Sequence, residues 1–515
     1  MVRQAFWFIS LVLFASLALS SYFLSPNYLW WLILLVPLFL VGVRDITQRS
    51  QAIRRNFPLI GNIRYMLEEI RPEIMQYFVE TDTEGRPLSR IYRSLIYQRA
   101  KNVSDTTPFG TQMNVYESGY EWLEHSMYPI HHEKIWADPR VSIGGPDCKK
   151  PYLASMLNIS AMSYGSLSKN AVMALNKGAF LGGFAHNTGE GSISPYHLEH
   201  KGDLIWQIGT GYFGCRDENG NFSEKNFAER AAFESVKMIE IKLSQGAKPG
   251  HGGILPAGKN NEEIAKIRGV KPWTDVHSPP QHSAFGSAQE MMHFVAKLRT
   301  LSAGKPVGIK FCLGRKDEFE EIVQAMITTG IKPDFITVDG GEGGTGAAPV
   351  EFSNSLGTPL KDALTYVHNQ LLGYDLKKDI KIIASGKIIT GFDMARAIAL
   401  GADLCNSARA MMLAVGCIQA LKCNSNTCPT GVATQDKRLY KGLDVSNKSE
   451  RVNNFHRNTI ESFVHLMSAS GFTSPDEIKR KHIHRRVSMN DTMTYEELYP
   501  STNQGQYLSV PSFQK

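Results

Sequence analysis

From about residue 150 onward, over roughly 300 residues, short apolar runs of strand length alternate with longer helical segments and glycine-rich connections. This alternation leaves few folds open. A strand that feeds a helix and then another strand builds parallel βαβ units. Repeated over this length, the pattern predicts an α/β fold, a (β/α)8 barrel with insertions. Strands read at MLNISAM (156–162), MIEIKLS (238–244), PVGIKFCL (306–313), DFITVDG (334–340), IKIIASG (380–386) and DLCNSA (403–408). Helical segments such as DEFEEIVQAMITTG (317–330) and GFDMARAIALG (391–401) lie between them. The expected organisation is two transmembrane helices over 1–44, a mixed helical collar over 45–140, the barrel over 141–475 and a tail over 476–515.

In such a barrel the chemistry sits just past the strand ends, and the distinctive sequences fall there. Asp339-Gly340-Gly341-Glu342-Gly343-Gly344-Thr345-Gly346 follows a strand and contains a literal G-x-G-x-x-G at Gly341, Gly343 and Gly346. A dinucleotide fingerprint would open a helix at once, yet Ala347-Ala348-Pro349-Val350 comes next. The stretch reads instead as a barrel loop whose backbone N–H groups can approach a phosphate closely. Ser385-Gly386-Lys387 and Asn406-Ser407-Ala408-Arg409 follow the last strands, the usual phosphate site of these barrels. Lys310 lies within the strand VGIKF, and a charge pointing into a barrel is costly without a partner.

Gly416 to Asp436 is the second chemical stretch. Cys417, Cys423 and Cys428 stand in the spacing C-x5-C-x4-C, with Pro429 after the last. Thiolates gathered this closely point to a metal or an iron–sulfur cluster. Structural zinc prefers four N/S ligands at C-x2-4-C spacings, and this loop has three cysteines, wider gaps and no nearby histidine. A cluster with three irons suits three thiolates better. Cys148, Cys215, Cys312 and Cys405 are scattered, which argues against a disulfide framework and for a reducing compartment.

CIQALKCNSNTCPTGVATQD closely resembles the cluster-binding loop of the FMN-containing domain of glutamate synthases. The resemblance runs over roughly 105–470, through ordered motifs: Ala161-Met162-Ser163, His186-Asn187-Thr188-Gly189-Glu190-Gly191 and Gln245-Gly246-Ala247-Lys248-Pro249-Gly250. It implies FMN and a [3Fe-4S] cluster held by Cys417, Cys423 and Cys428. It places Glu190, Gln245, Lys248 and Arg268 around the flavin and 2-oxoglutarate as catalytic and substrate residues. It assigns flavin contacts to Ala161, Met162, Ser163, Gln245 and Lys310; in FMN barrels a lysine so placed commonly faces the flavin N1–C2=O edge. The loops Asp339–Gly346, Ser385–Lys387 and Ser407–Arg409 complete the expected FMN site. Lysine and arginine suit an acidic substrate because they bind carboxylates by charge-assisted hydrogen bonds. His277 and His282, in WTDVHSPPQHSAF, are weaker candidates for substrate contact.

Three departures from the family pattern bear on substrate. Tyr212 stands where an arginine is usual, His251 replaces an acidic residue, and Ile254 replaces a glutamine. The expected reaction is reduction of 2-iminoglutarate, formed from 2-oxoglutarate and ammonia, with electrons from ferredoxin or a partner flavoprotein. Two alternatives stay open: an FMN barrel oxidoreductase on another substrate, and a non-catalytic membrane electron-transfer subunit.

Residues 5–24 carry no charge and are long enough, at about 1.5 Å per residue, to cross a bilayer core. Residues 28–43 form a second, slightly shorter apolar run after the turn Ser25-Pro26-Asn27. Arg44, Arg49, Arg54 and Arg55 follow, so the positive-inside rule puts the catalytic body in the cytoplasm, at a prokaryotic inner membrane. A cleaved secretory signal ending near Ala18-Leu19-Ser20 is the weaker reading, given the second run. The net charge of +7 collects in the first hundred residues and the tail. No nucleic-acid partner is expected.

Overall fold

The computed structural model describes residues 2–508. Met1 and residues 509–515, at the two ends of the expected hairpin and tail, lie outside the described residues. The chain divides into two units, Met1–Arg90 and Ile91–Lys515.

In the first unit, α1 (Val2–Phe23) and α2 (Leu32–Thr47) are joined by a tight helical turn, Pro26–Trp31. Ser25 starts that turn by accepting the Asn27 N–H at 3.3 Å, and Pro26 supplies the fixed φ that a first turn wants. Because the turn runs straight into α2, the second apolar segment is continuous over Pro26–Thr47, 22 residues. It is longer than the run 28–43 suggests, and both helices are long and apolar enough to cross a membrane. Phe6 stacks on Phe39 at 5.9 Å, which fastens the hairpin. Two further helices follow, α3 (Ala52–Asn56) and α4 (Ile60–Ile74).

The second unit contains a closed barrel of eight parallel strands. They are β1 (Leu157–Ile159), β2 (His186–Asn187), β3 (Leu204–Ile208), β4 (Val236–Lys242), β5 (Val307–Phe311), β6 (Phe335–Asp339), β7 (Lys381–Ser385) and β8 (Leu404–Ser407). Each strand pairs with its sequence neighbour, and β8 closes on β1 with Cys405 opposite Leu157. Helices cover the outside: α5 (Lys169–Gly182), α6 (Glu224–Ala231), α7 (Ala288–Leu301), α8 (Lys316–Thr329), α9 (Leu360–Gly373), α10 (Gly391–Ala399), α11 (Arg409–Val415) and α12 (Val445–Ala469). Local chemistry sets their starts. Ser168, Ser223, Ser287 and Thr390 each accept a backbone N–H from the first turn of the helix they open.

The (β/α)8 architecture matches the alternation in the sequence, with two strands added. β2, only His186–Asn187, and β3, the run LIWQI, are absent from the strands read above. β3 is five buried residues without alternation, and so short an apolar run cannot be told from helix by periodicity. The loop Gln245–Gly250 therefore follows the fourth barrel strand, and the glycine-rich loop follows the sixth.

The barrel interior is layered. At the N-terminal end Ile205, Met238, Phe335, Ile383 and Leu404 form an apolar floor with Ile143, Tyr152 and Ala154. Those last three belong to an antiparallel hairpin, Arg140–Ile143 with Tyr152–Ser155, that plugs the bottom. Above the floor the filling turns polar around Glu240 of β4, which is fully buried. Its Oε1 accepts from Asn187 Nδ2 at 2.8 Å and Gln207 Nε2 at 2.7 Å. Its Oε2 accepts from Thr337 Oγ1 at 2.7 Å. One carboxylate thus joins β2, β3, β4 and β6. Glu240→Ala would leave three buried donors without an acceptor. It is expected to cost about 3–5 kcal/mol, the range for breaking a buried charged network, read as a lower midpoint in chemical or thermal unfolding.

Candidate active site

The C-terminal ends of β2, β3 and β4 open onto one pocket, lined by Glu190, Thr210, Lys242, Gln245, His251 and Gly253 among others. Glu190 follows β2, and its Oε1 lies 3.0 Å from Lys242 Nζ at the end of β4. Burial alone would raise the Glu190 carboxyl, but Lys242, through charge and a hydrogen bond, then Arg268 and Lys248, hold it below the usual range. It is a carboxylate in the folded protein.

Arg268 ends a short helix, Glu262–Arg268, in the insertion between β4 and α7. Its Nη2 donates to Tyr164 O at 3.0 Å, and its guanidinium lies 5.2 Å over the Phe213 ring. Its Nε is buried without a partner. Burial brings this guanidinium down to about 10, against the pull of Glu190. Lys248 is also buried, and its Nζ donates to Ala347 O at 2.9 Å. Burial and then Lys242 lower its ammonium to about 8, with Glu190 opposing. The structure thus brings Glu190, Lys248 and Arg268 together, with Gln245 on the pocket wall.

Lys242 belongs to this group although its sequence gives only a strand. The available signal is its position two residues after Glu240, which puts both on the inner face of β4. His282 is structural. Its Nε2 bonds the Lys242 carbonyl and its Nδ1 the Tyr212 hydroxyl, both at 2.9 Å, and burial lowers it to about 4. His277 is exposed in a two-stranded ladder opposite Ile254. Tyr212 turns its hydroxyl inward to His282, and His251 packs edge-on against Phe352 at 5.4 Å.

The expected flavin residues line the adjoining strand ends. Lys310 Nζ lies 3.5 Å from Asp339 Oδ2. Burial works against its charge, but Asp339 and Glu240 outweigh it, so the ammonium is held above its ordinary value. Asp339 also accepts the Gly246 N–H at 2.9 Å. A Cβ on Gly246 would fall 1.8 Å from Gly340 O, so only glycine lets these two loops touch. Within the loop Gly340–Gly346, Gly341 and Gly343 are half-buried, and Gly344, Thr345 and Gly346 are exposed. Gln245 Nε2 reaches Thr345 Oγ1 at 3.5 Å. Ser160, at the end of β1 beside Ala161, Met162 and Ser163, meets Ser385 hydroxyl to hydroxyl at 3.3 Å. Gly386 and Lys387 both turn at positive φ. Ser407 donates to Ile388 O at 2.6 Å, and Arg409, next to Ala408, donates to Glu342 O at 2.6 Å. Asn406 Oδ1 is buried without a donor. An exposed glycine backbone, a charged buried lysine and an orphaned acceptor fit a phosphate-bearing, hydrogen-bonding ring system.

The cysteine loop lies beyond β8. Burial raises the Cys417 thiol to about 12, and Cys423 and Cys428 add to it; Cys423 is raised by burial and then by Cys428. The three sulfurs share one electrostatic neighbourhood. Burial opposes ionisation of Cys428, but the Thr430 hydroxyl and the N–H groups of Ala433, Thr430 and Val432 outweigh it and lower that thiol. Lys259 Nζ, which donates to Ser166 O and Ala433 O at 3.0 and 2.8 Å, adds positive charge nearby. Among the described residues no three His, Cys, Asp or Glu side chains are grouped so as to hold a metal ion. The donor set, three thiols with N–H groups and a lysine beside them, has the chemistry of a thiolate-ligated cluster.

Residues 130–473 match the family model described as "Conserved region in glutamate synthase". The chain belongs to the glutamate synthase family. It is 40% identical over 493 residues to the glutamate synthase large subunit-like protein YerD of Bacillus subtilis (strain 168), covering 88% of this chain and 93% of that one. It is 33% identical to the archaeal glutamate synthase [NADPH] of Methanocaldococcus jannaschii, over 64% of this chain and 61% of that relative's length. Against the glutamate synthase [NADH] of Saccharomyces cerevisiae it is 31% identical and spans 14% of the relative. The chain is thus a glutamate synthase-like oxidoreductase that spans under two thirds of these last two relatives.

The charge on Lys248 sets a pH dependence. Its folded value near 8 lies below the ordinary 10.5, so the ammonium is intact below about pH 8 and is lost as pH rises through it. Calorimetric binding of a dicarboxylate such as 2-oxoglutarate should weaken above that pH, and Lys248→Met should remove this dependence. Linkage gives stability the opposite slope. Between about 8 and 10.5 the unfolded chain holds the extra proton, so the Lys248 contribution to stability rises with pH.

Proposed function

We propose that the protein reduces the 2-imino acid formed from 2-oxoglutarate and ammonia to glutamate, using FMN and a [3Fe-4S] cluster. The carrying observation is the surplus of positive charge at the barrel mouth: Lys242, Lys248 and Arg268 face the single carboxylate of Glu190. FMN when bound would supply hydride, and the cluster would pass it electrons one at a time from ferredoxin or a partner flavoprotein. Ala161–Ser163, Gln245 and Lys310 would hold the ring. Asp339–Gly346, Ser385–Lys387 and Ser407–Arg409 would hold its phosphate side, and Cys417, Cys423 and Cys428 the cluster.

The remaining work falls to side chains. Lys248 and Arg268 bind and orient the acid by charge-assisted hydrogen bonds. Lys242 neutralises Glu190 in part and keeps it ionised. Glu190 then accepts a hydrogen bond from the nitrogen of the imine or of ammonia. Lys310, held charged by Asp339, supplies positive charge where the ring would gain negative charge. α1 and α2 anchor the protein in a prokaryotic inner membrane, and the arginines after α2 place the catalytic body in the cytoplasm.

A second reading, an acidic 2-oxo acid other than 2-oxoglutarate, is favoured by three side chains. Tyr212 is spent on His282, Ile254 has no donor, and His251 packs on Phe352.

Anaerobically purified protein is expected to release FMN and to contain iron and sulfide. Its reduced flavin should be reoxidised by 2-oxoglutarate with ammonia. A response only to other 2-oxo acids would select the second reading, and a colourless preparation would defeat both. Arg268→Ala should weaken the response by roughly 1–3 kcal/mol, about fivefold to 150-fold. Cys423→Ser should lose iron and keep flavin.

A further inference from the structure

The segment after the hairpin carries an apolar face turned the wrong way for a soluble protein. In α4, Ile60, Ile63, Leu67, Ile70 and Ile74 recur at spacings of three and four, which puts them on one stripe. Such a stripe is normally the packed side of a helix. Here Ile60 is 64% exposed, Leu67 49% and Ile74 37%. The turn that continues the helix, Met75–Val79, adds Phe78 at 84% exposed, with Tyr77 and Val79 beside it.

The opposite face is the one that packs within the unit. Asp45 at the end of α2 is 2% exposed and accepts from the Leu59 N–H and from Asn62 Nδ2. A Cβ on Gly61 would lie 3.0 Å from Arg54 Cα, a close helix crossing. The Arg54 guanidinium lies 4.3 Å over the Tyr65 ring. Asn62 therefore ties α4 to the end of α2, Gly61 and Tyr65 hold it against α3, and the apolar stripe faces out. Arg64 and Arg71 fall along one edge of that stripe by helical phase.

A helix of fifteen residues is marginal in water without a covered apolar face. The stripe is tied to the end of a helix whose own exposed surface is apolar, and arginines rim it. We infer that α4 and the turn after it lie in the plane of a bilayer surface. The isoleucine–leucine stripe and Phe78 sit at the headgroup–acyl boundary, and Arg64 and Arg71 reach lipid phosphates. This rests on the reading that α1 and α2 span the bilayer.

The test uses the full chain in vesicles of phosphatidylcholine and phosphatidylglycerol, with a lipid-dissolved diazirine photoprobe mapped by peptide mass spectrometry. Incorporation is expected in α1, in α2 and in 60–79, centred on Ile63, Leu67, Ile70 and Phe78. Leu67→Glu should lower incorporation in 60–79 by about threefold or more and leave α1 and α2 unchanged. Leu67→Met should label as the parent does, and circular dichroism checks that both variants keep their helix. Labelled α1 and α2 with unlabelled 60–79 would overturn the inference and keep the anchor. Unlabelled α1 and α2 would overturn both. Copy-to-copy crosslinks through 60–79 in place of lipid labelling would overturn it in favour of a protein contact.

Discussion

The barrel is organised around the Glu240 carboxylate. Its two oxygens collect donors from Asn187, Gln207 and Thr337, so strands that touch only at neighbouring edges are also joined through the middle. A buried charge is expensive unless its lone pairs are filled. Here each oxygen is filled, and the positive charge of Lys310 lies close enough to feel it. Only one register of β2, β3, β4 and β6 brings these three donors to one point. The hub therefore selects the arrangement of the strands as well as holding it.

The hub also explains why the mouth of the barrel can be so cationic. Along the interior the filling runs from an apolar floor, through an anionic middle, to Lys242 and Lys310 at the top. Each lysine at the top has its own carboxylate, Glu190 or Asp339. Lys248 and Arg268 add charge without adding acids. Their burial destabilises that charge, and an anionic ligand would relieve it. The polar layer thus connects the packing of the fold to the preference of the site.

How much of this is legible in the sequence depends on the range of the interaction. Strand–helix alternation is local, and it predicts the barrel. β3 is hidden because LIWQI is short and buried on both faces, and its one polar residue, Gln207, makes sense only once Glu240 is seen across the barrel. Lys310 stands out because a charge inside VGIKF demands a partner; that the partner is Asp339 is a tertiary fact. Lys242 sits two residues after Glu240, a same-face signal that counts only once Glu240 is seen to point inward. The pairing of His282 with Tyr212 needs chain from two different insertions to meet. The spacing of Cys417, Cys423 and Cys428 is visible at once, while the N–H groups and Lys259 around them are not. In α4 the stripe is plain from its spacing, but which way it faces depends on Asp45 and Gly61.

Lys248 holds a last consequence. Its ammonium donates one of its three N–H groups to the Ala347 carbonyl, at the end of the glycine-rich loop. Two donors remain, so one side chain can hold the loop and an incoming carboxylate at the same time. A ligand that fixes this ammonium also steadies the loop, and a loop already held offers the ligand an ammonium set in place beforehand. Pocket and loop are therefore linked partners, each favouring order in the other.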